Sequence, residues 1–348
     1  MRKSIAIIIT SILVLSGCNK QQSVSDRLLN EVEKAIAINP DSASNLLKGI
    51  SSPEKLDNKT FARWCMLSGK ITDEIFNSIL PTYQLERAYD WYSSHGSPDE
   101  QVQILIYLGR SYFADGDYDK AMSIYTNALD IAEKNKLNNL TGYTYSYIGD
   151  LYGEKFMRTE AIKRYKAAAE CFKKENNTDS YACALRDVGR EYACIDSLSR
   201  ALKILTIADS VARNTKNIEV TASIDNALGN IYAMQNKYDK AEEYFLKALV
   251  GRETMPDYMA LIDLYIASGA INKAQELLSK ILQDNPKYTY SIKYLYYQIY
   301  NEEKNYKEAL TNLKEYVEIT DSIIYADNQS KISVSYTHLR AHETLANL

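Results

Sequence analysis

Glycine and proline are scarce, 13 and 6 residues in a chain of 348. Sandwiches and barrels draw on both for their many tight turns, so long helices joined by short turns remain, and the fold class is all-α. Neither sign of charge dominates: 41 basic and 45 acidic side chains leave a formal net charge of −4. With no basic stripe to neutralise phosphates, nucleic acid is not a partner of this region. A phosphate loop is missing, as is any spaced set of nucleophile, base and orienting group, so no enzyme activity, catalytic residue or cofactor is expected. What is present, 46% hydrophobic and 25% charged residues, suffices for a sizeable core.

The chain opens MRKSIAIIITSILVLSGC. A charged start at Arg2 and Lys3 precedes an apolar run from Ile5 to Leu15, too short for a comfortable permanent membrane span. Residues 1–17 therefore read as an export signal peptide. Its end, Leu15-Ser16-Gly17-Cys18, resembles the lipobox of bacterial lipoproteins, which implies a lipidated, palmitate-type anchor on Cys18. Residues 18–24 follow as a polar tether without an acidic cluster. By resemblance to lipoprotein sorting, that implies the periplasmic face of the outer membrane.

From Gln103 onward the sequence repeats. Gly109, Gly149, Gly189 and Gly229 are 40 residues apart, each followed three residues later by Tyr112, Tyr152, Tyr192 or Tyr232. Twelve residues after each glycine stands an alanine (Ala121, Ala161, Ala201, Ala241), and seven further on another (Ala128, Ala168, Ala208, Ala248). Between the alanines a large residue recurs as Tyr125, Tyr165, Leu205 and Phe245. Glycine and tyrosine at i, i+3 share one face of a first helix, and alanine, aromatic, alanine at i, i+4, i+7 share one face of a second. The unit is a helical hairpin whose small residues permit close approach, and neighbouring hairpins stack to bury a continuous core.

Leu108-Gly109-Arg110-Ser111-Tyr112…Ala121…Tyr125…Ala128 resembles the tetratricopeptide repeat (TPR). The resemblance implies a right-handed superhelical solenoid. The usual unit is about 34 residues, so the surplus is expected as longer helix ends and longer inter-repeat turns at EKNKLNNLT, KKENNTDS and NTKNIEV. Clear repeats occupy about 102–250 within a solenoid spanning 61–323. Gly69 with Leu85 and Ala88 marks a degenerate copy upstream, where Pro81 replaces the first alanine. Tyr265 with Ala274, and Tyr300 with Ala309, mark two copies downstream, and residues 25–60 read as an N-terminal helical cap.

In this family the first helices line a concave groove. The resemblance places Arg110, Phe113, Tyr143, Asp150, Arg186, Arg190, Asn226 and Asn230 on it, where arginine can clamp a carboxylate and asparagine can bond a peptide backbone. A lipobox followed by such repeats resembles TPR lipoproteins of the Bacteroidetes envelope. The implied function is a lipid-anchored scaffold or adaptor binding a protein or peptide partner in the cell envelope. The alternative is the input domain of a membrane signalling protein whose transmembrane and output domains are missing here.

Four further cysteines, Cys65, Cys171, Cys183 and Cys194, read as small hydrophobes. Cys183 and Cys194 fall on one helix too far apart to bridge, whereas Cys171 and Cys183 flank a helix junction and remain a conceivable pair. His338 and His342 have metal-binding spacing, but the third histidine, His95, is far upstream, so no metal site is expected. Their stretch, 334–348, contains VSYTHLRAHET, which back-translates to a sequence resembling a transposase adapter used in sequencing libraries. It reads as a non-native tail, and 324–333 as the start of a truncated helix.

Overall fold

The computed structural model describes residues 24–75, 79–284 and 289–346. The signal segment, Cys18 and the tether through residue 23 lie outside them, as do Asn285 and Pro286. Among the described residues there are 16 helices and no strand. The chain divides into two compact units, Met1–Asn177 and Thr178–Leu348.

The first unit holds α1 (24–36), α2 (Pro40–Lys48), α3 (Asn58–Ile75), α4 (Thr82–His95), α5 (Pro98–Ala114), α6 (Tyr118–Lys134), α7 (Asn138–Glu154) and α8 (Arg158–Lys174). Pairs α3/α4, α5/α6 and α7/α8 are antiparallel hairpins, and α3, α5 and α7 lie side by side. One core runs from Leu29 and Val32 in α1 through Phe61, Leu105 and Tyr125 to Leu151 in α7. Arg87 of α4 ties the N-terminal cap to the stack. It donates to the carbonyls of Glu54 and Leu56 at 2.9 and 2.8 Å, and its guanidinium lies 4.0 Å from the Phe61 ring centroid. Pro81 stands just before α4 as its N-cap, where a missing N–H costs nothing.

The second unit holds α9 (Thr178–Cys194), α10 (Leu198–Ala212), α11 (Ile218–Met234), α12 (Tyr238–Gly251), α13 (Met255–Ala267), α14 (Ile271–Asp284), α15 (Thr289–Glu302) and α16 (Tyr306–Ala346). Hairpins α9/α10, α11/α12, α13/α14 and α15/α16 repeat the arrangement, and α16 runs unbroken for 41 residues.

The 40-residue period has a simple origin. Helices α5, α6, α7, α8, α9 and α11 are each 17 residues long. The turns at 115–117, 135–137, 155–157, 195–197 and 235–237 have three residues each. A helix plus its turn thus takes 20 residues. The surplus over the usual repeat goes into the helices, and the longer turn expected at EKNKLNNLT does not form. The longer helix ends are as expected, KKENNTDS too keeps a three-residue turn, and only NTKNIEV has the longer link expected of it, with α10 stopping at Ala212 and five residues, 213–217, leading to α11.

The three-residue turns, 175–177 among them, close by one motif. Gly116, Lys136, Phe156, Asn176, Asp196 and Asn236 have φ between 56° and 79°. The next residue's N–H then reaches back to a carbonyl in the preceding helix: Asp117 to Tyr112, Leu137 to Ala132, Met157 to Tyr152, Asn177 to Phe172, Ser197 to Tyr192 and Lys237 to Tyr232, at 2.8–2.9 Å. These are Schellman closures, which satisfy carbonyls the helix end would leave bare. Phe156 and Asp196 take the turn position in the two hairpins whose inner bend has neither glycine nor asparagine.

The signature glycines do what their spacing implies. A Cβ on Gly149 would stand 2.7 Å from the Tyr165 ring, and one on Gly229 2.6 Å from Phe245. Gly109 faces Tyr125 more closely still, and Gly189 faces Leu205. The signature tyrosines carry a cation eight residues on: Lys120 over Tyr112 at 5.1 Å, Arg200 over Tyr192 at 5.9 Å, Lys240 over Tyr232 at 5.4 Å and Lys273 over Tyr265 at 5.1 Å. At Tyr152 that position is Glu160, and Arg164 takes the place at 5.9 Å.

Candidate functional site

In the first unit α3, α5 and α7 lie side by side, Gly69 of α3 closed against the Tyr107 ring of α5, and an open cavity of about 470 Å³ lies on the face they share. Its wall is Thr72 and Asp73 from α3, Gln103, Ile106, Tyr107 and Arg110 from α5, and Leu140, Tyr143 and Tyr147 from α7. Ile106 and Tyr107 are buried, whereas Tyr143 is 38% exposed. Positions repeat across the two helices: Gln103 and Tyr143 stand six residues before their glycines, and Tyr107 and Tyr147 two before.

Among the described residues, the two charged side chains of the wall, Asp73 and Arg110, are bound to each other. Nη1 of Arg110 donates to Oδ1 of Asp73, and the Tyr107 hydroxyl donates to Oδ2 at 3.1 Å. The Arg110 side chain is 19% exposed and lies 5.5 Å from the Tyr147 ring centroid, which in turn stacks on Tyr125. Burial opposes charge on Arg110, but Tyr147 and Asp73 more than offset it and hold the guanidinium protonated. Burial, with Asp73 beside it, pushes the Tyr107 hydroxyl far above its ordinary range, so it acts as a neutral donor. Among the described residues, Nε and Nη2 of Arg110 and the Tyr147 hydroxyl have no hydrogen-bond partner.

Of the eight residues that the sequence places on a groove, the cavity gathers Arg110 and Tyr143. Phe113 sits at the end of α5 with its edge against Tyr118 at 5.4 Å. Asp150 accepts from the Tyr165 hydroxyl at 2.6 Å.

In the second unit the corresponding side chains bind one another. Arg186 donates to both carboxylate oxygens of Asp187 at 2.9 and 3.1 Å and to Ser223 of α11 at 3.0 Å. Asn226 donates to Asp257 of α13 at 2.9 Å, and Asn230 donates back to Asn226 at 3.0 Å. Asp257, fully buried, also receives two bonds of 3.0 Å from Arg252 and one from the Thr254 hydroxyl. Arg190 reaches outward, 66% exposed and 3.9 Å from Asp187, and Asn230 is exposed as well.

Thr72, Asp73, Gln103, Ile106, Tyr107, Leu140 and Tyr147 escape the sequence reading. The tyrosine two residues before two successive glycines was a usable signal for Tyr107 and Tyr147.

Cys65, Cys171, Cys183 and Cys194 are free thiols. Cys65 is buried, and that burial pushes its thiol far up. Cys194 is exposed and departs from the expected role of small hydrophobe. His95 bonds its own helix at the Trp91 carbonyl, 3.0 Å away. Among the described residues no three metal-ligating side chains converge, and no helix is long and apolar enough to cross a membrane. The side chains of His338 and His342 lie outside the described set.

Two stretches, 105–138 and 221–255, match family profiles described as Tetratricopeptide repeat. No curated protein matches the chain. Among solved structures, a Rap protein complexed with competence and sporulation factor is 18% identical, with 88% of each chain covered and a TM-score of 0.66. NprR in complex with its cognate peptide NprX is 15% identical over 86% of this chain and 92% of that one, with a TM-score of 0.53. A tetratricopeptide repeat protein from Parabacteroides merdae is 17% identical over 74% and 93%, at 0.52. Likeness at such identities is likeness of fold: the chain has the helical-hairpin fold of those proteins, and its stretches 105–138 and 221–255 are recognised as tetratricopeptide repeats.

Proposed function

We propose that the protein is a lipid-anchored interaction scaffold of the bacterial cell envelope, holding a peptide segment of a partner protein against the first-helix face of its repeats. The observation that carries this reading is the cavity between α3, α5 and α7, apolar on most of its wall and furnished with unpartnered polar groups. The fold supports it: the Rap structure holds competence and sporulation factor, and NprR holds its cognate peptide. In the second unit, taken by itself, Arg190 and Asn230 present exposed polar groups on first helices. The anchor rests on Leu15-Ser16-Gly17-Cys18, and the tether composition supports the periplasmic side of the outer membrane. Residues 334–348 are taken as adapter-derived and carry no function.

Selection of displayed peptides on the wild type and on a Tyr143→Ala, Tyr147→Ala double variant tests the binding role. Peptides retained by the wild type and lost by the variant are the expected result, and identical selections on both would sink it. For the anchor, metabolic labelling with palmitate should mark the wild type and not Cys18→Ala, and equal labelling would remove the lipid from the proposal.

A further inference from the structure

On the reading that this cavity holds peptide, we infer that it takes an uncharged stretch of main chain about three residues long, an internal or end-blocked segment with an apolar side chain at its centre, and not a free terminus or a phosphorylated group.

Length follows from α5. Gln103 and Arg110 both line the cavity and are seven residues apart on one helix, hence about 10.5 Å along its axis. An extended chain covers that distance in about three residues. The two ends have complementary polar atoms. Arg110 offers Nε and Nη2, while the Gln103 amide nitrogen is held by Asp99, leaving its oxygen to accept a backbone N–H. Between them lie Ile106, Leu140 and the faces of Tyr143 and Tyr147, a wall for one apolar side chain.

The charge rule follows from Asp73. A carboxylate brought to Arg110 would meet the Asp73 carboxylate already seated on Nη1, and would give up its hydration against a pair with no net charge. An ammonium brought to Asp73 meets Arg110 in the same way. A carbonyl avoids both penalties and still receives a charge-assisted bond.

The test uses two probes, acetyl-Ala-Leu-Ala-amide and the same peptide with a free C-terminal carboxylate, titrated at millimolar concentration against the full chain with NMR of the leucine and tyrosine resonances. The amide should bind about fivefold or more tightly than the acid, and its affinity should not change with salt. Asp73→Asn keeps an acceptor for Arg110 while removing the opposing charge, so in that variant the acid should become the preferred probe, with salt-sensitive affinity. Circular dichroism confirms that the variant is folded, and the wild-type comparison stands without it. An acid preference in the wild type overturns the charge rule, as does an unchanged preference in a folded Asp73→Asn. Binding of neither probe instead overturns the peptide reading of this cavity.

Discussion

The two units place polar side chains at the same repeat positions and use them differently. One residue past the glycine stand Arg110 and Arg190, and three before it Ile106 and Arg186. In the first unit an isoleucine forms the cavity wall and the arginine beyond it keeps donors unpartnered. In the second, Arg186 closes on Asp187 and Ser223, and Asn226 closes on Asp257. Polar residues on a repeat face are therefore not equivalent as binding groups. What decides is how many of their donors neighbouring side chains already occupy, one in Arg110 and all three nitrogens in Arg186.

The largest expected effect tests that division. Asp257→Ala leaves Arg252 and Asn226 facing a vacated buried site and should cost about 3 kcal/mol in urea unfolding. Hydrogen exchange should quicken in α11 and α13. Asp73→Ala, on a side chain 42% exposed, should cost about 1 kcal/mol or less. Equal costs would break the comparison. Next comes Gly109→Ala, at about 2 kcal/mol, because its Cβ would meet the flat ring of Tyr125. Gly189→Ala should cost about half as much, since Leu205 can change rotamer, and calorimetry of the two variants decides the ranking.

Asp225 gives a pH-dependent contrast confined to the second unit. Burial, with Asp209 nearby, raises its carboxyl to about 6 despite Arg213 and Lys247. The folded state therefore holds a proton between pH about 4 and about 6 that the unfolded chain has released. Its contribution is full below pH about 4 and is lost as pH rises through about 6, amounting to about 1–2 kcal/mol allowing for solvent screening. Thermal melts of Asp225→Asn should lack this fall, and a fall as steep as the wild type's would show that another group titrates. The smallest effect concerns the bends. Phe156, 80% exposed at a φ of 58°, is strained there, so Phe156→Gly should raise stability by about 0.5–1 kcal/mol. Asp196→Gly should gain less, because aspartate tolerates that conformation. Denaturation midpoints check both.

The hairpins were legible because glycine, tyrosine and alanine recur for one steric reason in every copy. The 20-residue half-period was not, since its bends are occupied by Gly116, Lys136, Phe156, Asn176 and Asp196, which share a backbone state and no side-chain chemistry. A cation eight residues after the signature tyrosine was present in the sequence, interrupted at Glu160. Arg110 and Tyr143 could be placed from register alone. Asp73 could not, because it belongs to the degenerate first repeat and stands where the next repeat has Phe113. The bonds that occupy Arg186 and Asn226 run to residues 37 and 31 positions away, and period and spacing do not reveal whether such a partner is in reach.

Because from α5 to α10 the bend inside a hairpin and the bend leading to the next are built alike, that stretch is indifferent to where one hairpin is said to begin. Gene duplication of a 40-residue window within it would restore both helix faces to their old orientation and need no new corner. Such a protein can lengthen without redesign. What selection must then adjust is only the side chains on the exposed face of the added helices, so the array can acquire new surfaces while its joints stay as they were.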